Sequence, residues 1–478
     1  MPSTQWSFLS HARSASIVLL AAAAALAAIA AFATAPAQAG ESELYSFMGG
    51  TSDGANPQAG LILDQYGVPY GTTSYGGSSN CTDGCGTVFE LMPPAPGQTR
   101  GSESVLYSFQ GAPGDGAYPE AALILDDQGA LYGTTQNGGS LNCPFGCGTV
   151  FVLRPPAPGQ TQWTETVLYS FQGGTTDGAN PVGSLVADDQ GVLYGTTYNG
   201  GSINCEGGCG TVFRLTPPTA GQTEWTESVL YSFLGGTDGE YPLSGLTFDQ
   251  QGALYGTTQN GGGSSNCAIG CGTVFRLTPP TAGQSPWTES VLHSFRNTPD
   301  GAYPSAGLIF DQQGALYGTT YYGGKPNCTS GCGTVFKLTP PAAGRPQWTE
   351  SVLYLFCSVK NCTDGWYPSA GLVFDRRGAL YGAAFGGGST TTDGALFKLA
   401  PLGAGQAQWT ESVLYSFTGA ASDGANPQAG PIFDRHGALY GTTFRGGILN
   451  DGTVFRLKCS VEGGEVFGGK ANLQCLRW

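Results

Sequence analysis

Leu193-Tyr194-Gly195-Thr196-Thr197 decides the reading of this chain, because the sequence returns to it, or to a close variant, seven times. The tyrosines are Tyr70, Tyr132, Tyr194, Tyr255, Tyr317, Tyr381 and Tyr440, with steps of 62, 62, 61, 62, 64 and 59 residues. Self-similarity at such a period marks copies of one supersecondary unit that share a core. It therefore overrides the roughly three domains that length alone would suggest.

Outward from this stretch, each unit holds four short apolar segments. In one central unit they are Gly245 to Asp249, Ala253 to Thr258, Gly272 to Leu277 and Ser290 to Phe295. They are rich in β-branched and aromatic residues and bounded by Gly, Pro, Asn and Asp, which predicts strands. Outside the N-terminal segment no stretch sustains a 3.6-residue apolar period, so helix should be scarce. The connections differ in kind. An Asp-x-x-Gly turn such as Asp249 to Gly252 joins the first two strands, with glycine free to take φ > 0. A Gly-rich loop with paired cysteines follows, Gly261 to Cys271, and then a proline-led loop from Thr278. The link between units is Asp-Gly-x-(Asn/Tyr)-Pro, beginning at Asp53, Asp115, Asp177, Asp238, Asp300, Asp364 and Asp423.

Seven units of four antiparallel strands predict an all-β, seven-bladed β-propeller. An open β-solenoid of seven repeats is the alternative. The ends favour a ring. Glu43-Leu44-Tyr45-Ser46-Phe47 is an outer-strand sequence with no preceding unit, and the last unit stops at Leu457 without one. The first strand should complete the last blade, and closure removes the edges an open stack would expose.

The repeated Gly-Leu-Ile-Phe-Asp-Gln-Gln-Gly-Ala-Leu-Tyr-Gly-Thr-Thr and Gly-Thr-Val-Phe-Arg-Leu segments, as at Gly307 to Thr320 and Gly272 to Leu277, resemble the tandem repeat of the GloVer-repeat proteins, a choice-of-anchor family of exported bacterial proteins. The resemblance covers residues 42–457. It implies export, a propeller-like fold and often a C-terminal surface anchor, and transfers no catalytic residue. Residues 458–478 contain Cys459 and Cys475 but no hydrophobic tail or sorting motif, so a soluble exported form is expected.

Three segments follow: a signal peptide over 1–39, the repeats over 40–457 and a tail over 458–478. His11 and Arg13 precede an Ala-rich apolar run, and Ala37-Gln38-Ala39 offers a small-x-small cleavage pattern. No later segment has the 18 apolar residues of a membrane span. Charged residues make up only 11% of the chain, and 19 Lys and Arg face 34 Asp and Glu. That balance argues against nucleic acid or anionic lipid as a partner. Fourteen cysteines in an exported chain read as seven disulfides. Five follow Cys-x-x-x-Cys: Cys81/Cys85, Cys143/Cys147, Cys205/Cys209, Cys267/Cys271 and Cys328/Cys332. Cys357/Cys362 and Cys459/Cys475 complete the set. Zinc would want Cys-x-x-Cys or histidine ligands, and only His293 and His436 follow the signal. No metal or cofactor is expected.

The Asp-Gly-x-(Asn/Tyr)-Pro loops and the cysteine loops should share one face, the candidate recognition face. The linking aspartates read as turn formers rather than calcium ligands, since no calcium loop accompanies them. Trp163, Trp225, Trp287, Trp348 and Trp409 read as packing at the blade periphery. No nucleophile, metalloprotease or phosphate-loop motif is present. Function is therefore sought where the repeat breaks. Units six and seven lack the loop cysteines and carry Asp393 and Asp451 at the second position. The sixth has Cys357 to Cys362, enclosing Lys360, just before Trp366. Neighbouring loops offer Tyr321, Tyr322, Phe385, Phe444 and Arg445, a set of rings and cations suited to a glycan, peptide or protein. A monomeric, non-enzymatic binding scaffold in the periplasm or extracellular medium is the leading expectation. A carbohydrate lyase or hydrolase using carboxylates from adjacent blades, or a purely structural envelope protein, are the alternatives.

Overall fold

The structure is a computed structural model. It describes residues 41–460 other than 93, 95–99, 281–285, 343–346, 389–391 and 402–408, together with 474–475. The predicted signal peptide lies outside the described residues, as does most of the tail.

Seven four-stranded antiparallel sheets, one per repeat, form the β-propeller that the repeat predicts. Blade 3 runs Val186–Ala187, Leu193–Thr197, Thr211–Thr216 and Thr226–Ser232, paired in that order from inside to outside. In blade 7 the outer strand is the chain's first, Glu41–Ser46, paired with Thr453–Leu457. The ring is closed by strands more than 400 residues apart, which excludes the solenoid. Helix is confined, among the described residues, to one 3-10 turn at Lys360–Cys362.

Each residue of the repeated pentapeptide has a structural task. Leu193 is buried between blades, and Tyr194 hydroxyl donates to Asp188 of the preceding turn (3.1 Å). Thr196 hydroxyl donates to the carbonyl of Ser244 in the next blade (3.0 Å), and Thr197 hydroxyl meets that of Thr211 on the neighbouring strand (2.8 Å). Gly195 lies opposite Phe213, and a Cβ there would stand 2.6 Å from the ring and 3.0 Å from Leu185. Overpacking of a tight core costs about 1–3 kcal/mol. Gly195→Ala is expected to lower the melting temperature by a few degrees, as followed by circular dichroism. An unchanged melt would show that the ring simply moves aside.

Between blades the same contact repeats seven times. Edge-to-face phenylalanine pairs, Phe47–Phe89, Phe109–Phe151, Phe171–Phe213, Phe233–Phe275, Phe295–Phe336, Phe356–Phe397 and Phe417–Phe455, have centroids 5.0–5.3 Å apart. Trp163, Trp287, Trp348 and Trp409 each reach back to a tyrosine of the preceding repeat, as expected of packing residues.

Two features differ from the simple strand reading. The expected five-residue inner strand pairs over only two residues in the sheet, as at Val186–Ala187. A second short pairing, Gly178–Ala179 with Asn199–Gly200, lies before it. Asn180 interrupts the ladder with φ 57°, and Pro181 has no N–H to continue it. Every outer strand also carries a β-bulge, for example between Val212 and Phe213 pairings, which twists the exposed edge and discourages edge-to-edge association.

Candidate functional site

The linking aspartates settle first. Asp53 accepts from Tyr45 hydroxyl (2.9 Å), Met48 N (2.8 Å) and Gly54 N (2.6 Å). Asp115 and Asp177 repeat this arrangement, and the Tyr231–Asp238, Tyr354–Asp364 and Tyr415–Asp423 bonds preserve its core. In the remaining blade His293 stands in for tyrosine, with Nε2 3.3 Å from Asp300. These carboxylates are occupied by the turn they close. Calcium coordination is not needed to account for them.

Among the described residues there are six disulfides: Cys81–Cys85, Cys143–Cys147, Cys205–Cys209, Cys267–Cys271, Cys328–Cys332 and Cys357–Cys362. Cys459 and Cys475 are backbone register partners, but their side chains lie outside the described residues. The carbonyl of Cys85 accepts from Tyr118 N of the next blade, and that of Cys147 from Asn180 N. Where the cysteine is missing, Asp393 and Asp451 carbonyls accept in the same way from Asn426 and Asn56. The disulfide therefore staples a turn that forms without it. The same bonds put the disulfide loops and the linking loops on one face.

On that face a rim of residues follows each pentapeptide: Ser74, Gln136, Tyr198, Gln259, Tyr321, Phe385 and Phe444. Gln136, Tyr198, Tyr321, Phe385 and Phe444 each contact the Asn or Tyr of the next blade's linking loop. At the interface of blades 5 and 6 this contact becomes a cluster. Tyr321 stacks on Tyr367 (4.9 Å, 19°), and Tyr322 sets its edge against both (4.7 and 5.1 Å). Tyr303 lies 5.6 Å from Tyr322, and Trp366 6.4 Å from Tyr367. Burial, and then the neighbouring phenols, push the Tyr321 hydroxyl up to about 12, so it stays a neutral donor.

The residues singled out from sequence are spread over three interfaces. Tyr321, Tyr322 and Trp366 lie between blades 5 and 6. Phe385 lies between 6 and 7, where its carbonyl accepts from Asn426 side chain (3.1 Å). Phe444 and Arg445 lie between 7 and 1, with the guanidinium 5.8 Å from the ring centroid. Lys360 is exposed in the 3-10 turn, and Lys325 of blade 5 donates to the Ser358 hydroxyl of the same loop (2.9 Å). Trp366 is opposite Gly386, where other blades pair Ala or Glu with Tyr, Asn or Arg, so the indole occupies room the glycine leaves. Sequence reasoning passed over Tyr303 and Tyr367, and a second stacked pair, Tyr198 and Tyr241 (4.7 Å, 20°). The available signal was the alternation of Asn and Tyr in the linking motif, which was read only as turn chemistry.

Carboxylates from adjacent blades do approach each other, though not at one site. The outer-strand glutamates Glu103, Glu165, Glu227, Glu289, Glu350 and Glu411 each face the linking aspartate of the preceding blade. Burial is the main cause that pushes Glu103 and Glu411 up to about 8 and the others to about 7. Their sixfold recurrence inside packed interfaces is that of a structural element.

Over 77% of this chain and 44% of its own, PorZ of Porphyromonas gingivalis, a surface component of the type-IX secretion system, is similar at 15% identity and TM-score 0.38. A glucose dehydrogenase is similar over 70% of this chain and 95% of its own, also at 15% identity and TM-score 0.38. The match to PorZ spans less than half of that protein's length. No curated protein sequence matches the chain. The sequence profile of the Gloeobacter/Verrucomicrobia repeat matches residues 28–269 and 206–455. With nearly the whole ring inside those matches, the chain belongs to the Gloeobacter/Verrucomicrobia repeat family.

Proposed function

We propose that this protein is an exported binding module that holds a glycan on its disulfide-bearing face, through the tyrosines between blades 5 and 6. The cluster of Tyr321, Tyr322 and Tyr367 is the observation that supports this reading. Half-buried aromatic surface carrying phenolic hydroxyls suits the apolar face and the hydroxyls of a sugar.

Backbone strain adds to it. The residue before the linking proline has φ between 54° and 58° in all seven blades. Asparagine tolerates that region better than other side chains, and three blades have it. Tyr118, Tyr241, Tyr303 and Tyr367 take the same conformation, at a cost of about 1 kcal/mol or more each. Packing does not require tyrosine there, since Asn56, Asn180 and Asn426 close the same turn. Six disulfides support an oxidising compartment, and no helix of the described residues is long and apolar enough to cross a membrane.

Affinity electrophoresis through soluble polysaccharides tests the reading. The mature protein is expected to be retarded, and Tyr321→Ala/Tyr367→Ala to lose about tenfold or more in affinity with an unchanged melt. Equal retardation of both proteins would overturn the site. Turnover of the polysaccharide, abolished by changing acidic residues on this face, would overturn the binding-only function.

A further inference from the structure

The opposite face, formed by the Asp-x-x-Gly turns, has grooves between blades. The groove between blades 6 and 7 has a volume of about 480 Å³, and Arg376, Arg377, Lys398, Arg435 and His436 line it. In a chain of net charge −15 with 19 Lys and Arg in all, that concentration is not what composition predicts. The two central turn residues are Gln65-Tyr66, Asp127-Gln128, Asp189-Gln190, Gln250-Gln251 and Gln312-Gln313 in blades 1 to 5, but Arg376-Arg377 and Arg435-His436 in blades 6 and 7.

The local carboxylates are already engaged. Asp375 accepts from Arg377 N, Ala379 N and Tyr381 hydroxyl, and Asp434 from His436 N and Ala438 N. Arg456 lies 3.5 Å from Asp434, and Lys398 4.0 Å from Asp375. Among the described residues none of Arg376, Arg377 and Arg435 has a salt-bridge partner. Lys398 is fixed over the Tyr381 ring (5.2 Å), and burial holds its ammonium below its usual range. Phe374 and Phe433 supply half-buried apolar flanks, with Phe433 edge-on to Tyr381 at 5.0 Å.

The groove between blades 4 and 5 is an internal comparison. It has the same framework, Phe248, Tyr255 and Phe310, and the larger volume of about 1130 Å³, yet its turns present four glutamines. Its cations are Arg276, 3.4 Å from Asp249, and Arg296, and Asp249 and Asp311 also line it. The protein thus builds, on a single template, one groove whose arginines are matched by as many aspartates and one where Arg376, Arg377, Lys398 and Arg435 outnumber Asp375 and Asp434, with Arg435 Nε donating to His436 Nε2 (3.1 Å).

We infer that the groove between blades 6 and 7 is a second binding site, for an acidic saccharide of one or two sugar units. Guanidinium forks match planar carboxylates, the aromatic flanks match a pyranose face, and the volume suits a ligand of that size. The site is on the other face from the tyrosine cluster and stands independently of it.

Titration calorimetry of the mature protein with digalacturonate tests the inference, with galactobiose and sodium sulfate as further probes. Digalacturonate is expected to bind, to weaken as salt rises, and to lose at least tenfold in Arg376→Gln/Arg377→Gln/Arg435→Gln. That variant restores the glutamines that the equivalent turns already carry in blades 4 and 5, and should melt like the parent. If it does not fold, Arg377→Gln alone is expected to lose severalfold. Tyr321→Ala/Tyr367→Ala should bind digalacturonate as the parent does. Galactobiose binding as tightly as digalacturonate, no loss in the glutamine variants, or sulfate competing at equal concentration would each overturn the assignment, the last by revealing a bare anion site.

Discussion

Deletion of residues 41–48 is expected to lower the melting temperature of the entire ring by about 10 °C or more, or to abolish cooperative unfolding. The segment is the outer strand of blade 7, paired from Glu41 with Leu457 to Ser46 with Thr453. Its Leu44 and Phe47 are 4% and 0% exposed. Phe47 forms the seventh phenylalanine pair, with Phe89, and Tyr45 hydroxyl holds Asp53 of the linking loop. Glu43, 2.8 Å from Arg100, bridges blade 7 to the loop that leads into the outer strand of blade 1. Losing one buried leucine and one buried phenylalanine costs about 5–10 kcal/mol together, comparable with the 5–15 kcal/mol that stabilises a typical domain. Because the interface between blades 7 and 1 closes the ring, its loss also exposes two new edges. Calorimetry of the truncated and parent proteins checks this. Phe47→Ala, which keeps the strand, should melt at an intermediate temperature. If the truncated protein melted like the parent, the shared blade would not be what holds the ring.

The protein should be more stable near pH 5.5 than near pH 8.5, by about 3 kcal/mol. Six outer-strand glutamates carry the effect, displaced upward to about 7 or about 8, chiefly by burial. One oxygen of each is buried with no hydrogen-bond partner among the described residues. An acid whose folded-state pKa is raised binds more protons when folded than unfolded. Stability is then highest below the unfolded value of about 4.5 and falls as pH rises through the folded value. Asp115 and Asp423, also displaced upward, act in the same direction. Solvent screening at these partly accessible sites reduces each contribution to about 0.5 kcal/mol, and six add to about 3. Thermal melts across that range check the slope, and Glu227→Gln should flatten it by about a sixth. A stability that rose from pH 5.5 to 8.5 would contradict the burial of this ring of acids.

These glutamates also show where reading stopped at the sequence. Trp-Thr-Glu looked like the start of an outer strand, and outer strands border solvent. The side chain at Glu227 instead turns toward Asp177 of the preceding blade, 50 residues back. The repeat, the strands and the staple nature of the cysteines were legible because they are local, and the closing role of residues 43–47 because the last unit lacks the strand with which the first begins. Alternating apolar residues, turn glycines and cysteine spacings act within a few residues of one another. The same holds for the linking aspartates, whose partners lie 1 to 10 residues away.

The candidate sites were legible only in part. Tyr321, Tyr322 and Trp366 stood out as breaks in the pattern, but Tyr367 and Tyr303 were hidden inside a motif that explains itself as a turn. Arg376, Arg377 and Arg435 sit in turns that form equally well with glutamine, so backbone chemistry does not reveal their charge as a shared property. By itself, the sequence determined the blade count, the strand order within a blade and the closure of the ring, because hydrophobic pattern and turn geometry act along the chain. The tertiary structure alone decided which rings stack, which acids face each other and which cations share a groove. Those contacts form between blades, where residues about 60 apart, or 388 apart for Asn56 and Phe444, become neighbours only once the ring has closed.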